Sequence, residues 1–129
     1  LPLDEGWINY YKEVSHSDAM RLFRESQVFA MPTRRDSYGL VFHEALASGC
    51  VVCVPDREPQ REFVDYGKAG IVLQHLSAVE MAAQLGPVIE DAELRTRLAI
   101  AGRKRYLDKF SQQVIRKQWS DIVAAAMED

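Results

Sequence analysis

The chain has 129 residues, of which 47% are hydrophobic and 27% charged, and its formal net charge is −3 with a pI near 5.6. A chain of this length forms one domain with a buried core. The excess of acidic residues argues against a dedicated nucleic-acid-binding protein, which normally carries an excess of Lys and Arg. No apolar run approaches the roughly 18 residues that a membrane-spanning helix needs, so the cytoplasm is the predicted location.

Four short apolar runs along the chain are predicted to be strands. They are WINYY at 7–11, QVFAMP at 27–32, CVVCVP at 50–55 and AGIVLQ at 69–74. Helical patterns separate the runs, and this alternation is typical of an α/β fold with a parallel sheet covered by helices on both faces. Because four strands make a small sheet, we expect the chain to be part of a larger doubly wound domain.

The helices are predicted from apolar spacing and from their end residues. Ser15 with Asp18, and Ser77 with Glu80, have the spacing of a helix-capping box. A further helix is predicted to run from about Gly39 to Ser48 and to stop at Gly49. The last part of the chain is all helical in pattern, at 77–89, 91–108 and 112–127. We therefore divide the single domain into a β/α part at 1–76 and a helical tail at 77–129.

Cys50 and Cys53 form the run CVVC, whose spacing occurs in metal and redox sites. The surrounding residues are apolar and β-branched, which predicts a buried strand. Residues three apart on a strand point to opposite faces and cannot bind one ion together. We predict two inert core thiols.

The helices between Leu94 and Lys117 carry eight of the sixteen Lys and Arg residues and one acid, Asp108. One interpretation is a solvated helix face. The other is a surface that contacts anionic lipid or an acidic partner, which would make the protein a peripheral membrane protein. The sequence leaves both open.

The candidate binding site is the loop MPTRRDSYGL, residues 31–40, which leaves a predicted strand and enters a predicted helix. Ligands of open α/β sheets bind at such loops. A helix start exposes unpaired N–H groups and a partial positive charge, and Gly39 would let an anion approach the N–H groups of Gly39, Leu40 and Val41. Arg34 and Arg35 add positive charge, so the loop is a candidate phosphate site.

Two acids flank this loop, Asp36 within it and Glu44 in the following helix. Helix side chains lean towards the N-terminus, so Glu44 reaches back towards the same pocket. A carboxylate accepts hydrogen bonds only and would be repelled by phosphate, so its natural partners are sugar hydroxyls. Alternatively, Asp36 is a helix cap and Glu44 a first-turn acid. Next to Glu44, His43 is either a contact of the site or a half-buried helix residue.

The sequences VFAMPTRRDSYGLVFHEALASGCVVCVPD and REFVDYGKAGIVL resemble the second half of the nucleotide-sugar domain of retaining GT-B glycosyltransferases, group 1 (GT4). This resemblance implies a Rossmann-like sheet, the C-terminal half of a GT-B fold, with a helical C-terminal tail. The residues that correspond to the family pattern are Pro32–Thr33, Asp36, Ser37–Leu40, Glu44–Gly49 and Glu62–Gly70. The likeness covers nearly all of the chain.

The resemblance also implies a function. The intact enzyme would transfer a glycosyl unit from a UDP- or GDP-hexose to an acceptor hydroxyl with retention, without metal or other cofactor. Asp36 and Glu44 would be the catalytic pair of carboxylates, with Asp36 facing the donor hexose and Glu44 holding the ribose. The donor-binding residues would be Thr33, Ser37, Tyr38, Gly39, Leu40, Val41 and Glu44.

Some positions depart from the family pattern. Asp36 stands where Glu is usual, Glu58 and Pro59 stand where the family tends to have a glycine pair, and Lys12 stands where a glycine often follows the first strand. We expect the acceptor-binding N-terminal domain, and the Arg and Lys that grip the diphosphate, to be missing from this chain, so the chain alone is predicted to be inactive. The alternative hypothesis is a non-catalytic α/β docking module derived from this fold.

Overall fold

The fold is built on three parallel strands in the order β1–β2–β3. A computed structural model describes residues 6–35 and 38–128. The strands are β1 (Val28–Ala30), β2 (Val51–Pro55) and β3 (Ile71–Leu73). β2 is central, pairing Val28 with Val51 on one side and Cys53 with Ile71 on the other. The predicted α/β class with a parallel sheet is confirmed.

The predicted strand at 7–11 is wrong. Residues 8–11 have no regular structure, and the part of the chain that the structure describes forms a sheet of three strands rather than four. Aromatic residues favour strands because a sheet buries them on one face. Here Trp7, Tyr10 and Tyr11 are mostly exposed. Among the described residues, no strand pairs with this segment.

The helices agree with the predicted pattern, with two differences. Asp18 N–H donates to the Ser15 hydroxyl over 3.1 Å and Glu80 N–H donates to the Ser77 hydroxyl over 3.3 Å, which confirms both caps. The predicted helix at 91–108 gives way to a π-helical turn at Tyr106–Phe110, and a short helix and a 3₁₀ turn (Asp65–Gly67) precede β3 without having been predicted. The helices are α1 (His16–Glu25), α2 (Leu40–Ser48), α3 (Gln60–Phe63), α4 (Ala78–Glu90), α5 (Ala92–Arg105) and α6 (Gln112–Glu128).

Helices cover both faces of the sheet, as a parallel sheet requires. Val52 and Val54 pack in a cluster that includes side chains of α1, α2 and α3. Val51, which points the opposite way along the strand, packs against Val88 of α4 and Leu98 of α5. This arrangement accounts for the uninterrupted apolar sequence of β2, all five residues of which are buried.

Both cysteines are free and buried, which confirms the prediction of core thiols. The Cys50 thiol donates to the Phe23 carbonyl over 3.0 Å and so joins the start of β2 to α1. Burial raises the pKa of both thiols, that of Cys53 to about 12. Since the thiolate is the reactive form, neither side chain is suited to redox or metal chemistry.

Candidate functional site

Two loops meet at the carboxyl edge of the sheet. The β1–α2 loop (residues 31–39) follows β1, and the β2–α3 loop (residues 56–59) follows β2. Because β1 and β2 are parallel neighbours, their carboxyl ends lie side by side. This is the edge at which open α/β sheets bind ligands.

Helix α2 begins at this edge without a side-chain cap. Gly39 occupies the N-cap position with φ 84° and ψ 64°, in the left-handed region that favours glycine. The Phe42 N–H donates to the Gly39 carbonyl over 3.0 Å, and the amides of Gly39, Leu40 and Val41 precede this bond and have no acceptor within the helix. No acidic residue lies in the first turn. Among the described residues no acceptor binds these three amides, so the start of the helix presents positive potential and hydrogen-bond donors to an anion.

Glu44 is the fifth residue of α2, beyond the first turn, so the interpretation of Glu44 as a first-turn acid is wrong. Its side chain is 35% exposed, and its Oε1 lies 3.6 Å from Nδ1 of His16 at the start of α1. Likewise, the N-cap position belongs to Gly39 and not to Asp36. Asp36 and Ser37 themselves lie outside the described residues.

Glu44 lines a groove of about 1050 Å³ that runs between α2 and the C-terminal helix α6. The predicted site residues Tyr38 and Leu40 line the same groove. Leu40 is 70% exposed, whereas Val41 is half-buried and packs against the core, so its side chain is structural. Apolar walls with a few polar groups are typical of small-molecule sites. The walls include His16, Met20, His43, Phe110, Arg116 and Trp119.

Thr33, another predicted donor-binding residue, lies in the β1–α2 loop and is half-buried. Its N–H donates to the Met31 carbonyl over 2.8 Å. Its hydroxyl is buried and has no hydrogen-bond partner among the described residues. The hydroxyl is thus an unused donor and acceptor in the loop that carries the candidate site.

His43 lies in an aromatic cluster beside Glu44 and is buried rather than half-buried. Its ring centroid is 5.4 Å from Tyr38, 4.2 Å from Phe63 and 4.5 Å from Phe110. Neither ring nitrogen has a hydrogen-bond partner among the described residues, and burial lowers the pKa of His43 to about 4. The imidazole is therefore neutral at pH 7, and its contacts are packing contacts.

Two side chains, one in the β2–α3 loop and one at the start of α3, bind the backbone of the β1–α2 loop. Arg57 donates through Nη1 to the Arg34 carbonyl. Gln60, which is fully buried, donates through Nε2 to the Tyr38 carbonyl over 3.2 Å. Neither residue was predicted from the sequence. Their position just beyond an apolar strand was the available signal, but their acceptors lie 23 and 22 residues away.

Several basic side chains of the C-terminal helices are engaged within the fold. Arg103 donates to the Ala47 carbonyl, Lys104 pairs with Asp108, and Arg105 donates twice to the Glu62 carbonyl over 2.8 and 2.6 Å. The contacts of Arg103 and Arg105 join α5 to α2 and α3. Within the described ranges, no helix is long and apolar enough to cross a bilayer. Contact with anionic lipid stays a prediction.

Comparison with known proteins identifies the family to which the chain belongs. The family model for glycosyl transferases group 1 matches residues 5–105. The chain is 30% identical to a phosphatidyl-myo-inositol mannosyltransferase of Mycolicibacterium smegmatis, over 95% of this chain and 30% of that protein. It is 29% identical to the capsular polysaccharide biosynthesis glycosyltransferase CapM of Staphylococcus aureus, over 82% of this chain and 27% of that protein. The chain thus spans less than a third of the length of these relatives.

The fold has a counterpart among solved structures. Sucrose-phosphate synthase from Thermosynechococcus elongatus superposes with a TM-score of 0.83 at 19% identity, over 94% of this chain and 30% of that one. At this identity the likeness is one of fold, and it supports the expected Rossmann-like half of a GT-B architecture. Together with the family match over residues 5–105, it leads to one conclusion: the chain belongs to the group 1 glycosyl transferases and is a partial GT-B glycosyltransferase domain.

Proposed function

We propose that this chain forms the donor-binding part of an enzyme that transfers a glycosyl unit from a UDP- or GDP-hexose to an acceptor hydroxyl. The observation that carries the proposal is the uncapped start of α2 at Gly39 with Glu44 beyond it in the groove. This arrangement offers N–H donors for a diphosphate and a carboxylate for hydroxyls within one site. A nucleoside diphosphate sugar carries both groups next to each other.

In this proposal the diphosphate binds the amides of Gly39, Leu40 and Val41. Charge develops on the diphosphate as the glycosidic bond breaks, and fixed N–H dipoles at a helix start stabilise such charge without reorganising. The chain would therefore need no metal ion or other cofactor for this step.

Glu44 is proposed to accept hydrogen bonds from the ribose hydroxyls. Its carboxylate is partly exposed and lies beside the His16 imidazole. The two carboxylate oxygens can accept hydrogen bonds from two adjacent hydroxyls. Asp36 is proposed to face the donor hexose, with Thr33, Ser37 and Tyr38 completing the donor site. The unsatisfied Thr33 hydroxyl supports this part of the proposal.

The acceptor is proposed to bind a separate N-terminal domain of the intact enzyme. Transfer with retention is proposed from the family resemblance, with the acceptor hydroxyl attacking from the face that the diphosphate leaves. No side chain of the chain is assigned as a nucleophile.

The test is titration of the chain with UDP, GDP, UDP-glucose and GDP-mannose, followed by NMR amide shifts. We expect saturable binding with a Kd of about 1 mM, which corresponds to about −4 kcal/mol. Replacing Glu44 by Gln removes the negative charge of this side chain. We expect about tenfold weaker binding, because a hydrogen bond to a charged group contributes roughly 1.5–3 kcal/mol and one between neutral groups roughly 0.5–1.5 kcal/mol.

The matched control is Glu80→Gln. Glu80 also pairs with a histidine, His75, at 3.8 Å, but it lies at the start of α4. We expect this variant to bind nucleotides like the wild type. Absence of saturable shifts with all four ligands would contradict the proposal and favour the docking-module hypothesis.

A further inference from the structure

Arg34 and Tyr38 of the β1–α2 loop each accept a hydrogen bond from a side chain that follows β2. Arg57 donates to the Arg34 carbonyl, and Gln60 donates to the Tyr38 carbonyl over 3.2 Å. Tyr38 directly precedes Gly39, the N-cap residue of α2. The bond from Gln60 therefore lies next to the first amide of the candidate anion site.

The backbone position of Gln60 is fixed by the contacts of α3. Gln60 begins α3, whose Phe63 is buried and followed by the buried Val64. The carbonyl of Glu62 accepts two hydrogen bonds from Arg105 of α5. Since α3 is fixed in this way, the Gln60 amide has a defined position relative to the sheet.

The bond from Gln60 acts on the first amide of the candidate anion site. The Tyr38 carbonyl and the Gly39 N–H belong to the same peptide unit, which is planar, so the direction of the carbonyl sets the direction of the N–H. In a trans unit the two groups point in opposite directions. By holding the carbonyl on the α3 side, Gln60 turns the Gly39 N–H away from α3.

The burial of Gln60 has a cost. Its Oε1 is buried and has no hydrogen-bond partner among the described residues, and an unsatisfied buried acceptor is unfavourable. A leucine of similar size would fill the space without this cost. A leucine could not donate a hydrogen bond to the Tyr38 carbonyl. The amide of Gln60 therefore contributes the orientation of that carbonyl.

From these contacts we infer that Gln60 is a positioning residue for the donor site: its amide orients the Tyr38–Gly39 peptide unit so that the Gly39 N–H can bind the diphosphate of the donor. This inference rests on the proposed function and extends it to a residue that the family resemblance did not assign. It also gives a role to the first residue of α3, which directly follows Glu58 and Pro59.

The test compares Gln60→Leu with Gln84→Leu. Gln84 accepts from the Gln74 N–H over 2.7 Å and donates to the His75 carbonyl over 2.9 Å, away from the candidate site. Each variant therefore loses side-chain hydrogen bonds to a loop backbone. Three readouts are measured: thermal unfolding, ¹⁵N relaxation of the Gly39 amide without ligand, and the Kd for UDP and GDP.

We expect Gln60→Leu to lower the order parameter of the Gly39 amide and to weaken UDP and GDP binding by about tenfold, the loss of one hydrogen bond. Gln84→Leu should lower the unfolding temperature and leave both the order parameter and the Kd unchanged. Unchanged Gly39 order and Kd in Gln60→Leu would overturn the inference. Equal weakening in the two variants would overturn it too, since a general loss of stability would then explain both.

The variant Gln60→Glu tests whether nucleotide binding depends on a hydrogen bond donated to the Tyr38 carbonyl. A protonated carboxyl can donate to the Tyr38 carbonyl, whereas a carboxylate cannot, and burial raises the pKa of such a group. We expect nucleotide binding by this variant, relative to the wild type at the same pH, to recover as the pH falls from 8 to 5. Gln60→Leu should show no recovery, and recovery in both or in neither would count against the orienting bond.

The two proposals can fail separately. If the wild-type chain bound neither UDP nor GDP, the donor-site proposal would fail. The ¹⁵N relaxation of Gly39 would still decide whether Gln60 orders the peptide unit, because that measurement needs no ligand.

Discussion

The phenol ring of Tyr38 is stacked on the imidazole of His43, with ring centroids 5.4 Å apart and planes inclined by 22°. The imidazole is enclosed further by Phe63 and Phe110. This contact links the β1–α2 loop to the first turns of α2 and, through Phe110, to the π-helical turn before α6. The protonation state of His43 therefore affects residues on both sides of the groove, Tyr38 and Phe110.

We predict that acid destabilises the chain through His43. The pKa of His43 is lowered to about 4 by burial, while an unfolded histidine has a pKa near 6.5. Between these values the unfolded state binds the proton and the folded state does not, so stability is lost as the pH falls from 6.5 to 4. The difference corresponds to about 3 kcal/mol.

The measurement is urea unfolding at pH 7, 5.5 and 4 for the wild type and His43→Phe. Phenylalanine keeps the ring contacts and does not titrate, so the free energy of unfolding of the variant should rise relative to the wild type as the pH falls. Carboxylates titrate in both proteins and cancel in the difference. A constant difference across the three pH values would show that His43 does not contribute.

Replacing Gly39 by Ala should weaken both folding and nucleotide binding. Gly39 has φ 84°, and a left-handed conformation costs a residue with a Cβ atom roughly 1–2 kcal/mol. The added methyl group would also lie beside the amides that are proposed to bind the diphosphate. Thermal unfolding and NMR titration with UDP and GDP measure the two effects.

Gly49→Ala is the control for this prediction. Gly49 has φ 86° at the other end of α2, and a Cβ atom there would meet nothing within 4 Å. We expect a similar loss of stability without a change in Kd. If the two variants bound nucleotides equally well, the start of α2 would not be the diphosphate site.

A methyl group at Gly70 should destabilise the core. An added Cβ would lie 2.5 Å from the Val52 carbonyl oxygen and 2.6 Å from Cγ1 of Val64, and overpacking of this kind costs typically 1–3 kcal/mol. Gly86→Ala in α4 should cost less than Gly70→Ala, because beyond its chain neighbours an added Cβ there would meet nothing within 4 Å. Chemical denaturation of the two variants should show the larger loss of stability for Gly70→Ala.

Replacing Arg105 by Lys should lower stability by about 1–2 kcal/mol, because one ammonium group cannot reproduce the fork of two donors to the Glu62 carbonyl. Arg105 also lies 3.7 Å from Asp65 and over the ring of Phe110. Lys104→Ala removes an exposed ion pair with Asp108 and should cost less than about 1 kcal/mol. Equal effects in thermal unfolding would show that Arg105 acts only as a surface charge.

Helix ends and buried strands could be predicted from the sequence because their signals are local. Ser15 reaches the Asp18 N–H three residues away, and Gly49 ends α2 through bonds to residues three and four before it. The position of Glu44 relative to Gly39 is likewise set by helix geometry. The segment 7–11 shows the limit, because a strand needs a partner backbone that local propensity does not supply.

The sequence by itself therefore determined the α/β class, the start of α2 near Gly39 and the spacing between Gly39 and Glu44 along that helix. Only the tertiary structure decided that His43 is enclosed by aromatic rings, that Arg105 joins α5 to α3, and that Gln60 holds the Tyr38 carbonyl. Apart from the stacking of Tyr38 on His43, each of these contacts joins residues that are 20 or more positions apart in the sequence. Their partners are selected by the parallel pairing of β1 and β2, which brings two loops to one edge of the sheet, and no local pattern specifies which side chains then meet.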